Sequence, residues 1–116
     1  MRIAPRTNAQ FVLFPLVIII GSFTEELLFR GYLFWALAPL LGVWGAATIA
    51  SVAFGLAHAY QGPSGILRTG VIGLAFAIGF ALTHSLWWLI VAHMILNSIG
   101  YFVAIRVKNL PSVQDA

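Results

Sequence analysis

Asp, Glu, Lys and Arg are absent from three long stretches of this sequence, residues 7–24, 31–67 and 69–105. A helix that crosses a bilayer needs about 20 mostly apolar residues, so the two longer stretches can each hold more than one such helix. Of the 116 residues, 61% are hydrophobic and 8% are charged, whereas about a quarter of a soluble domain is charged. The sequence therefore predicts an all-α integral membrane protein, a polytopic transmembrane bundle of four to five helices.

Turn and cap residues divide these stretches into predicted helices at about 9–22, 24–38, 43–60, 66–83 and 85–106. The first boundary is placed at Gly21–Thr24, with Thr24 as the cap of the second helix. The basic N-terminus and the apolar run after it imitate a signal peptide, but no typical cleavage site follows. We therefore expect a retained helix and one membrane-embedded domain over residues 1–116.

Two glutamates and an arginine interrupt the apolar pattern at Thr24–Gly31. Glu26 and Arg30 are four residues apart, so on a helix they form an ion pair in the favourable order. Glu25 lies about 100° further round the helix and has no partner nearby in sequence. Ionisable residues at membrane depth are costly, which makes them functional candidates. A carboxylate without a counter-ion in a dry environment gains affinity for a proton, as a general base requires.

Two further residue pairs, each with a histidine, follow on later apolar helices. Phe54 and His58 share one helical face, and so do His93 and Asn97. A single histidine in a membrane helix commonly makes an interhelical hydrogen bond, but two histidines with an unpaired glutamate indicate a site. The hypothesis requires these side chains to line one cavity. It also requires a gap of about 4 to 6 Å between Glu25 and His58 if one water bridges them.

The three motifs Glu-Glu-x-x-x-Arg, Phe-x-x-x-His and His-x-x-x-Asn, in this order on successive apolar helices, resemble those of one family. It is the CAAX-protease and bacteriocin-processing family (CPBP or ABI), whose eukaryotic members are the type II CAAX prenyl endopeptidases. The resemblance covers residues 23–98 and includes Phe29-Arg30-Gly31 and Phe54-Gly55-Leu56-Ala57-His58. Family members usually carry extra helices before the first motif, so the chain is expected to be a minimal member or a fragment.

The resemblance implies an intramembrane, glutamate-dependent endopeptidase. In its terms, Glu25 acts with His58 to activate a water, and His93 and Asn97 stabilise the oxyanion of the tetrahedral intermediate. The supporting residues that it implies are Glu26, Arg30 and Phe54. The implied substrate is a peptide or protein, with prenylated C-terminal peptides as the eukaryotic precedent and a bacteriocin precursor as another option. No cofactor is implied.

Three alternatives remain at this stage. Glu25, His58 and His93 match the ligand set of some zinc proteases, although the His-Glu-x-x-His helix is missing. The string Gly62–Gly65 resembles a serine-protease motif of the rhomboid kind, but it reads more simply as a turn. A non-catalytic membrane protein is the third alternative, either a proton relay or a bacteriocin-immunity factor. The absence of cysteine excludes a thiol nucleophile.

The formal charge of +3 suits anionic lipid headgroups and is too sparse for a nucleic-acid interface. We expect Arg68, Arg106 and Lys108 on the face of the membrane where the site lies, opposite Arg2 and Arg6. By the positive-inside rule, this predicts a site that faces the cytosol. The resemblance, whose flanking residues are typical of bacterial members, implies a bacterial plasma membrane. The sequence does not determine the oligomeric state.

Overall fold

The computed structural model describes residues 5–108, which are almost entirely helical. The elements are α1 (Asn8–Glu26), a π-helical segment (Leu27–Leu33), α2 (Phe34–Ala57), a 3₁₀ turn (Ala59–Gln61), α3 (Pro63–Thr83) and α4 (Trp87–Lys108). Three helical stretches within the described part are long and apolar enough to cross a membrane, Asn8–Ala57, Pro63–Thr83 and Trp87–Val107. The predicted all-α membrane fold is confirmed. Residues 1–4, including Arg2, and residues 109–116 lie outside the described part.

The first helix begins at a capping box and does not break where the sequence suggested. Gln10 donates its backbone N–H to the Thr7 hydroxyl, and the Gln10 side chain accepts from the Thr7 backbone. From there α1 continues through Gly21–Thr24 to Glu26, so the predicted boundary and the Thr24 cap are wrong. A break would expose backbone polar groups to an apolar medium, whereas an unbroken helix satisfies them internally.

The chain reverses at Gly42, inside α2. Gly42 has φ 70° and ψ 170°, a conformation that is strained for any residue with a Cβ. Residues on either side then pair across the bend, since Phe34 packs with Ala46 and Ala47 in one buried cluster. The described residues thus form four helical rods, 8–41, 43–57, 63–83 and 87–108, where five helices had been outlined.

This reversal brings Glu25 and His58 to the same depth. Glu25 precedes Gly42 by 17 residues and His58 follows it by 16, so the two are nearly equidistant from the bend. The rings of Phe29 and Phe54 meet between these levels, with centroids 5.1 Å apart. The long rod extends past the site before it turns at Gly42, so an unbroken first helix still leaves Glu25 and His58 close together.

The π-helical segment Leu27–Leu33 joins α1 to α2 beside the predicted site. Its wider turns rotate successive residues by less than an α-helix does, and such segments are frequent at functional sites. Two consecutive residues, Phe29 and Arg30, are consequently both buried. Gly31 in the same segment faces Leu86, at the turn before α4.

The second half of α2 packs closely on α3 through glycines. A Cβ at Gly55 would lie 2.8 Å from the Ile66 carbonyl oxygen and 3.1 Å from the Gly70 Cα, so only glycine permits this approach. On α3, Gly73 and Ala77 are buried, whereas Ala75 is exposed.

Helix α4 runs antiparallel to α1. The Tyr101 hydroxyl donates to the Phe11 carbonyl at 2.9 Å, and Asn97 bonds to Ser22 further along. Arg6 and Arg106 therefore lie at the same end of the molecule. The predicted distribution, with these two arginines on opposite faces, is wrong because the first helix does not stop before the site.

Candidate active site

The adjacent glutamates at the end of α1 have different environments. The Glu26 side chain is fully buried, whereas 32% of the Glu25 side chain is exposed. Because consecutive helical residues differ by about 100°, Glu26 points into the bundle and Glu25 points to its side, where the two histidines lie. Glu26 forms the predicted ion pair with Arg30, whereas the residues that contact Glu25 come from later helices.

Arg30 neutralises Glu26 within the bundle. Its Nη1 donates to Glu26 Oε1 at 3.0 Å, and its Nη2 donates to the Gly73 carbonyl at 2.9 Å. The guanidinium also lies 4.5 Å from the centroid of the Phe54 ring, a cation–π contact. A buried ion pair needs further hydrogen bonds to offset the loss of hydration, and the Gly73 carbonyl supplies one of them. Arg30 Nε and Glu26 Oε2 have no hydrogen-bond partner among the described residues.

His93 lies between the two glutamates. Its Nδ1 is 2.7 Å from Glu26 Oε1, and its Nε2 is 3.5 Å from Glu25 Oε2. An ionised carboxylate only accepts hydrogen bonds, so the contact with Glu26 places a proton on Nδ1 of His93. In the neutral ring, Nε2 is then an acceptor that faces Glu25.

His58 reaches Glu25 from the other side. This residue ends α2, and its Nδ1 is 2.8 Å from the Phe54 carbonyl oxygen, which can only accept. The proton of the neutral ring is therefore on Nδ1, and Nε2, 3.8 Å from Glu25 Oε2, is again an acceptor. The separation lies slightly below the predicted 4 to 6 Å.

Three acceptor atoms thus converge, the Nε2 atoms of His58 and His93 and Oε2 of Glu25. This carboxylate oxygen is buried and has no hydrogen-bond partner among the described residues. Acceptors that face one another repel unless a donor lies between them, so the arrangement suits a water molecule or a shared proton. Among residues 5–108, no group of three or more His, Cys, Asp or Glu side chains has the geometry to hold a metal ion.

Asn97 approaches the same region one turn further along α4. Its Nδ2 donates to the Ser22 hydroxyl at 3.2 Å, and the side chain is half-buried. A cavity of about 350 Å³ is lined by Asn97, His58 and His93, together with Phe54. Three of the four predicted catalytic side chains therefore share one cavity, and Glu25 contacts both of its histidines.

Two members of this cluster were not identified from the sequence. Ser22 was assigned to a chain break, although its spacing of four residues from Glu26 would have placed it on the same helical face. Gly73 was not predicted as a site residue, and it contributes its backbone carbonyl, an acceptor that every residue type has. Thr69 is also buried and lines the cavity.

Comparisons with known proteins agree with these motifs. The model of the family described as type II CAAX prenyl endopeptidase Rce1-like matches residues 7–99. The protein named "Putative membrane peptidase YdiL" from Bacillus subtilis (strain 168) is 35% identical over 88 residues, which cover 72% of this chain and 35% of that protein. The chain thus spans about a third of the length of this relative. No solved structure matches the present chain.

Proposed function

The chain belongs to the type II CAAX prenyl endopeptidase Rce1-like family, and on this premise we propose that it is a membrane-embedded endopeptidase. Its nucleophile is a water activated by Glu25 and His58. The observation that carries the proposal is the convergence of Glu25 Oε2 with the Nε2 atoms of His58 and His93, at 3.8 and 3.5 Å. A water bound there can donate a proton to either side chain while its oxygen attacks a carbonyl carbon.

The proposed reaction needs no covalent enzyme intermediate. The water oxygen bonds to the carbonyl carbon, its proton passes to Glu25 or His58, and the carbonyl oxygen becomes an oxyanion. Collapse of this intermediate breaks the C–N bond, and the same proton goes to the leaving amine. Asn97 stabilises the oxyanion by donating a hydrogen bond from its side-chain amide.

His93 donates to the oxyanion only under one condition. Its Nδ1 proton is bound to Glu26 at 2.7 Å, so a donor at Nε2 requires the imidazolium form. With His93 protonated, the charges of Glu25, Glu26, Arg30 and His93 sum to zero in a region with little solvent. Glu26 therefore has two proposed functions, to pair with Arg30 and to orient and stabilise His93.

The substrate is proposed to be a peptide or protein that enters the cavity from the end where Arg6 and Arg106 lie. The cavity extends along α4 from His93 to Gly100, towards that end, and Arg68 also lines it. Since these three arginines lie at the site or towards this end, we propose from the positive-inside rule that this end faces the cytosol. A lipid-modified substrate is proposed from the family description, and a bacteriocin precursor is the second candidate from the sequence resemblance.

Hydrolysis can be tested without knowing the natural substrate. The full chain in lipid nanodiscs is incubated with a proteome-derived peptide library supplemented with farnesylated CAAX peptides, and new termini are identified by mass spectrometry. We expect cleavage that Glu25→Gln and His58→Ala each reduce by at least a hundredfold. His84→Asn is the matched control, because His84 ends α3 with φ 52°, a conformation that asparagine tolerates.

Two further results decide between the alternatives. We propose that the site is metal-free, so cleavage should persist after dialysis against a strong chelator. Loss of activity on chelation, with recovery on addition of zinc, would establish the zinc-protease alternative. If the wild-type chain cuts no peptide, or if Glu25→Gln cuts as well as wild type, the proposed function is wrong for this chain and a non-catalytic role is favoured.

A further inference from the structure

Ser22 is a buried serine whose hydroxyl bonds across helices. Its side chain has no exposed surface, and its Oγ accepts the 3.2 Å hydrogen bond from Asn97 Nδ2. Two other serines behave differently. The hydroxyls of Ser51 and Ser98 donate to carbonyls four residues back in their own helices, at 2.6 and 2.7 Å. The latter bonds are the usual local arrangement for serine in a helix, whereas the Ser22 bond joins α1 to α4.

The Ser22–Asn97 contact repeats the Glu26–His93 contact one helical turn away. Ser22 and Glu26 are four residues apart on α1, and His93 and Asn97 are four residues apart on α4. Because the two helices are antiparallel, one face of α1 contacts both residues of the third motif. Glu26 fixes the His93 ring through Nδ1, and Ser22 occupies the equivalent position for the Asn97 amide.

We infer that Ser22 is a positioning residue that orients Asn97 for the oxyanion. This inference depends on the proposed function, in which the Asn97 amide donates to that oxygen. A carboxamide nitrogen has two N–H donors, so one can bind the Ser22 hydroxyl while the other remains for the substrate. An oxyanion donor must lie about 2.7 to 3.1 Å from the developing charge, and a freely rotating Asn97 seldom meets this requirement.

A double-mutant cycle tests the inference. Steady-state kinetics are measured in nanodiscs on the best peptide from the library, for Ser22→Ala, Asn97→Ala and the double variant. We expect Ser22→Ala to lower kcat about tenfold with KM within twofold of wild type, because the amide is misplaced only in the transition state. In the Asn97→Ala background, Ser22→Ala should cause no further loss. Ser51→Ala, which also removes a buried hydroxyl, should leave kcat unchanged.

Two kinetic results would overturn the inference. One is a Ser22→Ala enzyme as active as Ser51→Ala while Asn97→Ala is impaired. The other is a double variant whose losses multiply, since independent effects show that Ser22 does not act through Asn97. If Ser22→Ala melts well below Ser51→Ala, Ser22→Cys replaces it, because a thiol keeps the volume but accepts hydrogen bonds weakly.

A spectroscopic readout separates this inference from the proposed function. The side-chain amide signals of Asn97, assigned by their loss in Asn97→Ala, are followed by NMR in detergent micelles. Ser22→Ala should shift them, and Ser51→Ala should not. If Asn97→Ala hydrolyses peptides like wild type but the shift is present, the oxyanion role fails and the Ser22 contact stands. An unshifted signal in Ser22→Ala refutes the contact itself.

Discussion

Replacement of Arg30 by methionine tests whether the buried charge cluster stabilises the fold. Methionine keeps much of the length and apolar volume of the arginine stem but removes the guanidinium. The change deletes the 3.0 Å contact with Glu26 and the 2.9 Å contact with the Gly73 carbonyl. Glu26 has no exposed surface, and its Oε2 has no hydrogen-bond partner among the described residues. In Arg30→Met, His93 is the remaining side chain that contacts Glu26 among the described ion pairs.

The expected loss follows from this burial. Breaking a buried ion pair by removing one partner costs about 3 to 5 kcal/mol, because the remaining charge is left in a medium of low dielectric. Arg30 is 1% exposed and Glu26 is 0% exposed, so solvent screening does not reduce this figure. The additional change Glu26→Gln removes the orphaned charge and preserves an acceptor for His93. We therefore expect the double variant to lose only about 1 to 2 kcal/mol.

Reversible unfolding in mixed SDS micelles, followed by the fluorescence of the four tryptophans, measures these free energies. Arg68→Met is the matched control, because Arg68 is exposed and its replacement should change the free energy of unfolding by less than about 0.5 kcal/mol. The reasoning is refuted if Arg30→Met costs less than about 1 kcal/mol. It is also refuted if Glu26→Gln adds to the loss instead of relieving it.

Three further changes test the packing, the bend and the orientation. Gly73→Ala would place a Cβ 2.9 Å from the Phe54 ring, so thermal melting should show a loss of stability of about 1 to 3 kcal/mol. Gly21→Ala is the control and should not be destabilising, because the space around Gly21 is open. Gly42→Ala should cost about 1 to 2 kcal/mol in the same assay, because φ 70° is unfavourable once a Cβ is present, and an unchanged melting curve contradicts the bend. The chain has no cysteine, so introduced single cysteines can report its orientation in the membrane. In intact cells, a membrane-impermeant maleimide should label Leu40→Cys and not Arg106→Cys. The reverse labelling pattern contradicts a cytosolic site.

Much of the fold class and several of the contacts could be predicted because charge is so scarce in this chain. The ion pair of Glu26 with Arg30 follows from helical periodicity alone, and the structure contains it. The contact between Glu25 and His58 was expected, but with a helix break at Gly21–Thr24 that the structure does not contain. Helix boundaries were predicted both at Gly21–Thr24 and between residues 38 and 43; the first is absent from the structure, and the second is confirmed by the bend at Gly42. Which of the two boundaries bends the chain depends on where the returning helix finds packing partners, which is a tertiary property.

The detailed geometry of the site could be predicted less well from the sequence. Contacts between Glu26 and His93, and between Ser22 and Asn97, depend on how α1 and α4 are rotated about their axes. Both helices carry apolar side chains on nearly all of their faces. The sequence therefore has no amphipathic pattern from which that rotation could be predicted. The catalytic roles assigned to Glu25, His58, His93 and Asn97 remain predictions, because distances alone do not measure proton transfer.

The antiparallel pairing of α1 with α4 has a consequence for biosynthesis. The first and the last helix of the described chain supply Glu25 and His93, so no centre that contains both exists until the ribosome has released residues beyond Asn97. Before that point, Glu26 can pair with Arg30 but not with His93. A nascent chain whose α4 has not yet inserted therefore lacks the contacts of His93 with Glu25 and Glu26.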